Sequence, residues 1–393
     1  MAEAYIVAAT RTAGGRRGGR LSGWHATDLA AEVLNDVVDK AGADPRLIDD
    51  VIMGCVSQIG EQATNVARNA VLASKLPESV PGTSIDRQCG SSQQAAHFAA
   101  QAVMSGFQDI VIASGVESMS RTPMFSPVAL AQKAGIAEHY MGPKIKERYP
   151  DIEFSQFMGA EMIAKKYGQS ADDLHRFALE SHKRAIAATE AGRFDKEILP
   201  LQSRLQDGTV LDEMHTVDEG IRFDATLEGI AGVKPIQEGG LINAAVASQI
   251  CDGATAVMIV SEKGLKKLGV KPLARIHHMS VIGHDPVIML EAPIPATQQA
   301  LKKTGMSIND IDLFEVNEAF APVPLAWLKE TGADPDRLNV NGGAIALGHP
   351  LGASGTKLMT TLVHALHDRG GRYGLQTMCE GGGMANVTII ERL

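Results

Sequence analysis

The chain has 393 residues, of which 45% are apolar and 21% charged, and a formal net charge of −9 at pH 7. That length exceeds one ordinary core and predicts two or three domains; the acidic balance argues against a nucleic-acid surface. Its four cysteines, Cys55, Cys89, Cys251 and Cys379, form no Cys-x-x-Cys pair, which argues against a metal site or a disulfide framework and fits reduced thiols in a cytoplasmic protein.

The start, Met1–Val7, does not read as a secretion signal, and no apolar run reaches membrane-spanning length. Arg11, Arg16, Arg17 and Arg20 form a basic patch that reads as a solvated loop or an oligomer contact. Short β-type runs then alternate with helical ones, which predicts an α/β layered fold. Strands are expected at Ala4–Ala8, Asp50–Gly54, Ile110–Ser114, Ala256–Ser261, Ile311–Glu315, Tyr373–Met378 and Asn386–Glu391. Apolar spacing predicts a helix over Thr27–Ala41, stopped by Gly42. Ser170 and Asp173 have capping-box spacing and open a helix running through Thr189.

Residues 84–120 and 338–392 share one plan of strand, unusual turn, helix and strand, which predicts an internal duplication. Between them the chain is richer in Met, Pro and aromatic residues, as in an inserted cap. The expected division is 1–120 for the first half, 121–248 for the inserted loop domain and 249–393 for the second half.

Three turns carry the chemistry. Cys89 lies between a strand ending at Ile85 and a helix beginning at Ser91; the positive end of that helix is expected to lower its pKa toward thiolate. His349 stands between Gly348 and Pro350, which fix its backbone and keep bulk from the imidazole, as a general base needs. Cys379 precedes Gly381-Gly382-Gly383, whose backbone N–H groups can approach an oxyanion, and its thiol reads as an acid/base near neutral pH. Asn317, at a strand end, reads either as a helix N-cap or as an amide that holds a water against a substrate oxygen.

Taken together, Cys89 in its turn, Asn317-Glu318-Ala319-Phe320, Gly348-His349-Pro350 and Cys379-Glu380-Gly381-Gly382-Gly383 resemble the thiolase family, the coenzyme A-dependent acyl-CoA acyltransferases, over essentially the whole chain. The resemblance implies two thiolase-type βαβαβαββ halves in α-β-α-β-α layers with an inserted loop domain, and a homodimer or homotetramer. It implies Cys89 as acyl-carrying nucleophile, His349 as its base and Cys379 as acid/base. One oxyanion hole would use His349 and an Asn317-bound water; the other would use the N–H groups of Cys89 and Gly381.

Coenzyme A and acyl-CoA would be substrates, with no tightly bound cofactor, no metal and no membrane or nucleic-acid partner. Arg222, Ser248, Met158 and Phe320 are the expected substrate or coenzyme A contacts. Departures from the family pattern stand out. Ser92 replaces a common glycine, Val246, Gln249 and Cys251 alter the coenzyme A loop, and Phe157 replaces a histidine. With Leu290 in place of glycine, Phe157 favours acyl chains beyond acetoacetyl. The expected activity is degradative 3-ketoacyl-CoA thiolysis; the first alternative is biosynthetic formation of acetoacetyl-CoA, and a ketosynthase-like condensing enzyme or a non-catalytic lipid-binding member ranks behind both.

Overall fold

The computed structural model describes residues 2–136 and 139–393. Its strands run in the order Gly82–Ile85, Asp50–Gly54, Ile110–Ser118, Cys251–Val260, Tyr5–Thr12, Ala274–Gly283, Met384–Arg392, Tyr373–Glu380 and Leu313–Val316. Tyr5 and Ile6 join the two halves by pairing antiparallel with Arg275 and Ala274.

Each half repeats one pattern. A parallel group (Gly82–Ile85, Asp50–Gly54, Ile110–Ser118) is followed by antiparallel Cys251–Val260 and Tyr5–Thr12. In the second half, Leu313–Val316 and Tyr373–Glu380 are parallel, followed by antiparallel Met384–Arg392 and Ala274–Gly283. The duplication is therefore real in topology, with two corrections. The strand expected before His349 shrinks to a single parallel bridge between Leu338 and Phe314. And Cys251–Val260, placed by sequence in the second half at 249–393, closes the first half between two of its strands.

The helix Ser91–Met104 lies between the two sheets beside the helix Ser354–Arg369. Ala95, Ala96, Ala99 and Ala100 pack there with Met359, Leu362 and Val363 and with residues of both sheets, including Val257 and Ile390. Small side chains on the first helix allow this close approach; larger ones would overfill the layer. The helix Ala26–Lys40 and its neighbours cover the outer face of the first sheet, and Pro293–Thr304 with Pro322–Thr331 cover that of the second. Five layers result.

The inserted segment contributes the helices Gln156–Tyr167 and Ala171–Glu190; the latter has the Ser170–Asp173 capping box read from sequence. No helix among the described residues is long and apolar enough to cross a membrane.

The basic patch divides. Arg16 and Arg20 reach Glu219 at the surface, but Arg11 is completely buried, contrary to the solvated loop expected for it. Its guanidinium bonds Glu197 at 2.6 Å and both oxygens of Asp218 at 2.9 and 3.1 Å. Asp218 also faces the buried Lys357 ammonium at 3.4 Å. Four charges thus compensate one another in the interior behind the His349 turn.

Candidate active site

The two cysteine turns interlock. A Cβ at Gly90 would lie 1.9 Å from Glu380 Oε1, and one at Gly381 would lie 3.0 Å from Gln88 Oε1. Each turn thus occupies space that a side chain on the other would need, so Cys89 and Cys379 are held as neighbours. Cys89 is half-buried and Cys379 fully buried. The backbone N–H groups of Cys89 and Gly381 donate to no backbone carbonyl among the described residues.

His349 arrives from the other half. The helix after it and the helix after Cys89 meet at their first turns, so closely that a Cβ at Gly355 would lie 2.0 Å from the Gln93 nitrogen. Glu117 strengthens the join by accepting from the N–H groups of Val56 at 2.9 Å, Ser57 at 3.0 Å and Gly352 at 2.8 Å. Gly348 needs to be glycine twice over. Its φ of 80° and ψ of 161° suit no other residue, and a Cβ would strike Cys251 Sγ at 2.7 Å.

The imidazole's tautomer follows from its partners. Ser354 Oγ donates to the Pro350 carbonyl at 2.9 Å, so it accepts from His349 Nδ1–H. That leaves Nε2 as the lone pair, facing Asn317 Nδ2 at 3.5 Å. Burial and the Lys357 charge push the His349 pKa down to about 3, which keeps the resting ring neutral with Nε2 unprotonated.

Asn317 is no helix cap: the following helix begins at Pro322 behind Ala321. Its Oδ1 is buried with no partner among the described residues, so one end of the amide is uncommitted. Glu318 positions the neighbouring backbone by accepting from Ser181 Oγ at 2.7 Å, Asn339 Nδ2 at 2.9 Å and the Ile345 N–H at 3.0 Å.

Both thiols differ from expectation in acidity. Burial, together with the Glu380 carboxyl, pushes Cys89 up to about 12. The helix start does not overcome burial and the nearby carboxyl, and the resting thiol is neutral. Burial and the adjacent Cys89 likewise raise Cys379 well above the ordinary thiol range, not to neutrality.

The expected ligand contacts scatter. Arg222 lines a groove of about 390 Å³ with His182, Thr226, Ala245, Ala247 and Gln249. Ser248 sits between two of those lining residues and donates its N–H to the Ala319 carbonyl at 2.9 Å. Met158 and Phe320 do not line it: Met158 is exposed, and Phe320 is buried edge-on against Phe157 with ring centres 5.5 Å apart.

The altered coenzyme A loop has a structural use. The Gln249 carbonyl accepts the His349 N–H at 3.1 Å, and its side-chain amide donates to Gly220 and Ile345 carbonyls, each at 2.7 Å. Gln249 and Cys251 therefore brace the histidine turn. Sequence reasoning gave no role to Ser354, Glu117, Lys357 or Glu380; only the side chain of Glu380 beside a cysteine offered a signal.

Comparison with known proteins finds matches along nearly the whole chain. Residues 4–263 match the thiolase N-terminal domain and residues 270–392 the thiolase C-terminal domain, a boundary that also leaves Cys251–Val260 in the first half. A steroid 3-ketoacyl-CoA thiolase of Mycobacterium tuberculosis is 53% identical over 100% of this chain and 95% of its own length. Human mitochondrial 3-ketoacyl-CoA thiolase in complex with CoA superposes with a TM-score of 0.88 at 37% identity, covering 100% of this chain and 98% of that one. The Bacillus anthracis acetyl-CoA acetyltransferase gives 0.91 at 36% identity, covering 100% and 99%. The chain belongs to the thiolase family.

Proposed function

We propose that the protein is a 3-ketoacyl-CoA thiolase working in the thiolytic direction. The observation that carries this reading is the meeting of the two cysteine turns, across which Gly90 and Gly381 leave room for Glu380 and Gln88, with the helix behind Cys89 packed against the helix behind a histidine whose free nitrogen faces Asn317. His349 Nε2 takes the Cys89 proton as sulfur attacks the 3-keto carbon. The C2–C3 bond then breaks, leaving the acyl group on Cys89 and an acetyl-CoA enolate, which takes the Cys379 proton. Free coenzyme A gives its thiol proton to the Cys379 thiolate and attacks the acyl thioester; Cys89 leaves and regains its proton from His349. Protons and thiols balance over the cycle.

The raised Cys379 pKa suits this task, because the thiol keeps its proton until a base as strong as the enolate forms. The uncommitted end of Asn317 and its contact with His349 suit a water-assisted oxyanion hole for the enolate oxygen. The N–H groups of Cys89 and Gly381 suit the second hole, and the groove at Arg222 suits the coenzyme A nucleotide end.

Acyl groups larger than acetoacetyl are favoured by Phe157 and Leu290, which share one apolar cluster with Phe320. A bulky, ring-bearing acyl group is further suggested by the steroid thiolase relative. The test is kcat/KM across a series of 3-ketoacyl-CoAs. Preference for C8 and longer or ring-bearing chains supports the reading. Preference for acetoacetyl-CoA favours the biosynthetic alternative, the activity named for the Bacillus anthracis neighbour. Assembly into two or four copies belongs to the same reading and is checked by light scattering.

A further inference from the structure

Glu380 follows Cys379 on its strand, is fully buried and takes no part in the bond chemistry above. Its side chain lies across the Cys89 turn, over Gly90. Asn386 on the adjacent strand, with its amide turned to satisfy both neighbours, donates to Glu380 Oε1 at 3.0 Å and accepts from the Gln94 N–H at 3.2 Å. Oε2 has no partner among the described residues. A buried carboxylate with one oxygen unsatisfied is costly to ionise, whereas the protonated acid fits.

We propose that Glu380 is a positioning residue that holds the Cys89 turn in its uncharged form, and that its ionisation at alkaline pH disfavours the Cys89 thiolate. The inference rests on Cys89 being the nucleophile. Burial pushes the Glu380 carboxyl up to about 8, with Arg87 and the Asn386 backbone pulling it back. Glu380 is in turn the largest charged influence raising Cys89.

Other ionisable groups face this cluster. Asp86 lies on the turn itself, and Glu117 reaches it from the strand Ile110–Ser118. His97 on the central helix lies near Arg87, and His278 on Ala274–Gly283 lies near His97; burial drives His97 down to about 3, so it stays uncharged between pH 6 and 9, and burial also lowers His278. Among the described residues Arg87 is the one cation acting on Glu380, and it also touches Met384 Sδ at 3.6 Å.

The test is the rate of Cys89 alkylation by iodoacetamide from pH 6 to 9, read by peptide mass spectrometry, with thiolysis followed in parallel. In the native enzyme, log rate should rise with pH and then flatten near pH 8. Glu380→Gln should match it at pH 6 and exceed it by about fivefold at pH 9, the effect there of one like charge worth roughly a pK unit. Arg87→Met should move the break to higher pH, which keeps the test available if Glu380→Gln does not fold. A ratio constant across pH, or a native line with no break and an unmoved Arg87→Met line, overturns the inference while leaving the nucleophile intact. Cys89 unlabelled in the native enzyme overturns both.

Discussion

Ser92 Oγ accepts a hydrogen bond from the Thr356 N–H at 3.0 Å, joining the helix behind Cys89 to the helix behind His349. Thr356 lies in the first turn of its helix, where N–H groups lack intrahelical acceptors. The serine at this position thus supplies a bond that glycine cannot. Ser92→Ala leaves a buried donor unsatisfied and should cost about 1–3 kcal/mol. A lower midpoint of thermal unfolding checks this; an unchanged midpoint means the contact stabilises nothing.

Arg11 gives the sharpest stability prediction. Arg11→Met leaves Glu197 and Asp218 buried with less compensation and should cost about 3–5 kcal/mol. Arg16→Ala, in the same sequence patch but exposed, should change stability by less than about 1 kcal/mol. Chemical denaturation of both variants decides it, and equal effects would contradict the division of the patch.

Asn317→Ala removes an amide beside His349 without opening a large cavity. Loss of one oxyanion-hole donor predicts a fall in kcat of about 10²–10³, with KM little changed. Steady-state thiolysis measures it, and a KM-only effect would assign Asn317 to substrate binding instead.

The pH dependence has a definite sign. His349 has a folded pKa of about 3 against an ordinary value near 6.5, so between those pH values the unfolded chain binds the extra proton. Stability from this group is therefore complete above pH 6.5 and declines as pH falls toward 3. For the same reason kcat/KM should show no acid limb centred at 6.5 due to His349. A limb there that disappears in no other histidine variant would place a protonated imidazole in the site.

The reactive turns were legible because glycines surround them: Gly348, Gly90 and Gly381 each mark a place where chain or side chain passes too close for a Cβ. Alternation of apolar runs located the strands, and the Ser170–Asp173 spacing located its helix. What stayed hidden depends on long-range pairing. Arg11 looks solvated beside Arg16 and Arg17, and its buried carboxylates lie at 197 and 218. The strand Cys251–Val260 follows the insertion in sequence yet completes the first sheet, so proximity along the chain misplaced the boundary. The Cys89 acidity was misjudged because a helix start is a local cue, whereas burial and the nearby Glu380 carboxyl are tertiary.

The account stands or falls on which sulfur carries the acyl group. Incubate the native enzyme, Cys89→Ser and Cys379→Ala with a simple acyl-CoA, quench in acid, and weigh the peptides. Acyl mass on the Cys89 peptide in the native enzyme and in Cys379→Ala, and none in Cys89→Ser, is the expected result. Acyl mass on Cys379, or on the Cys89→Ser protein at the native level, would contradict it.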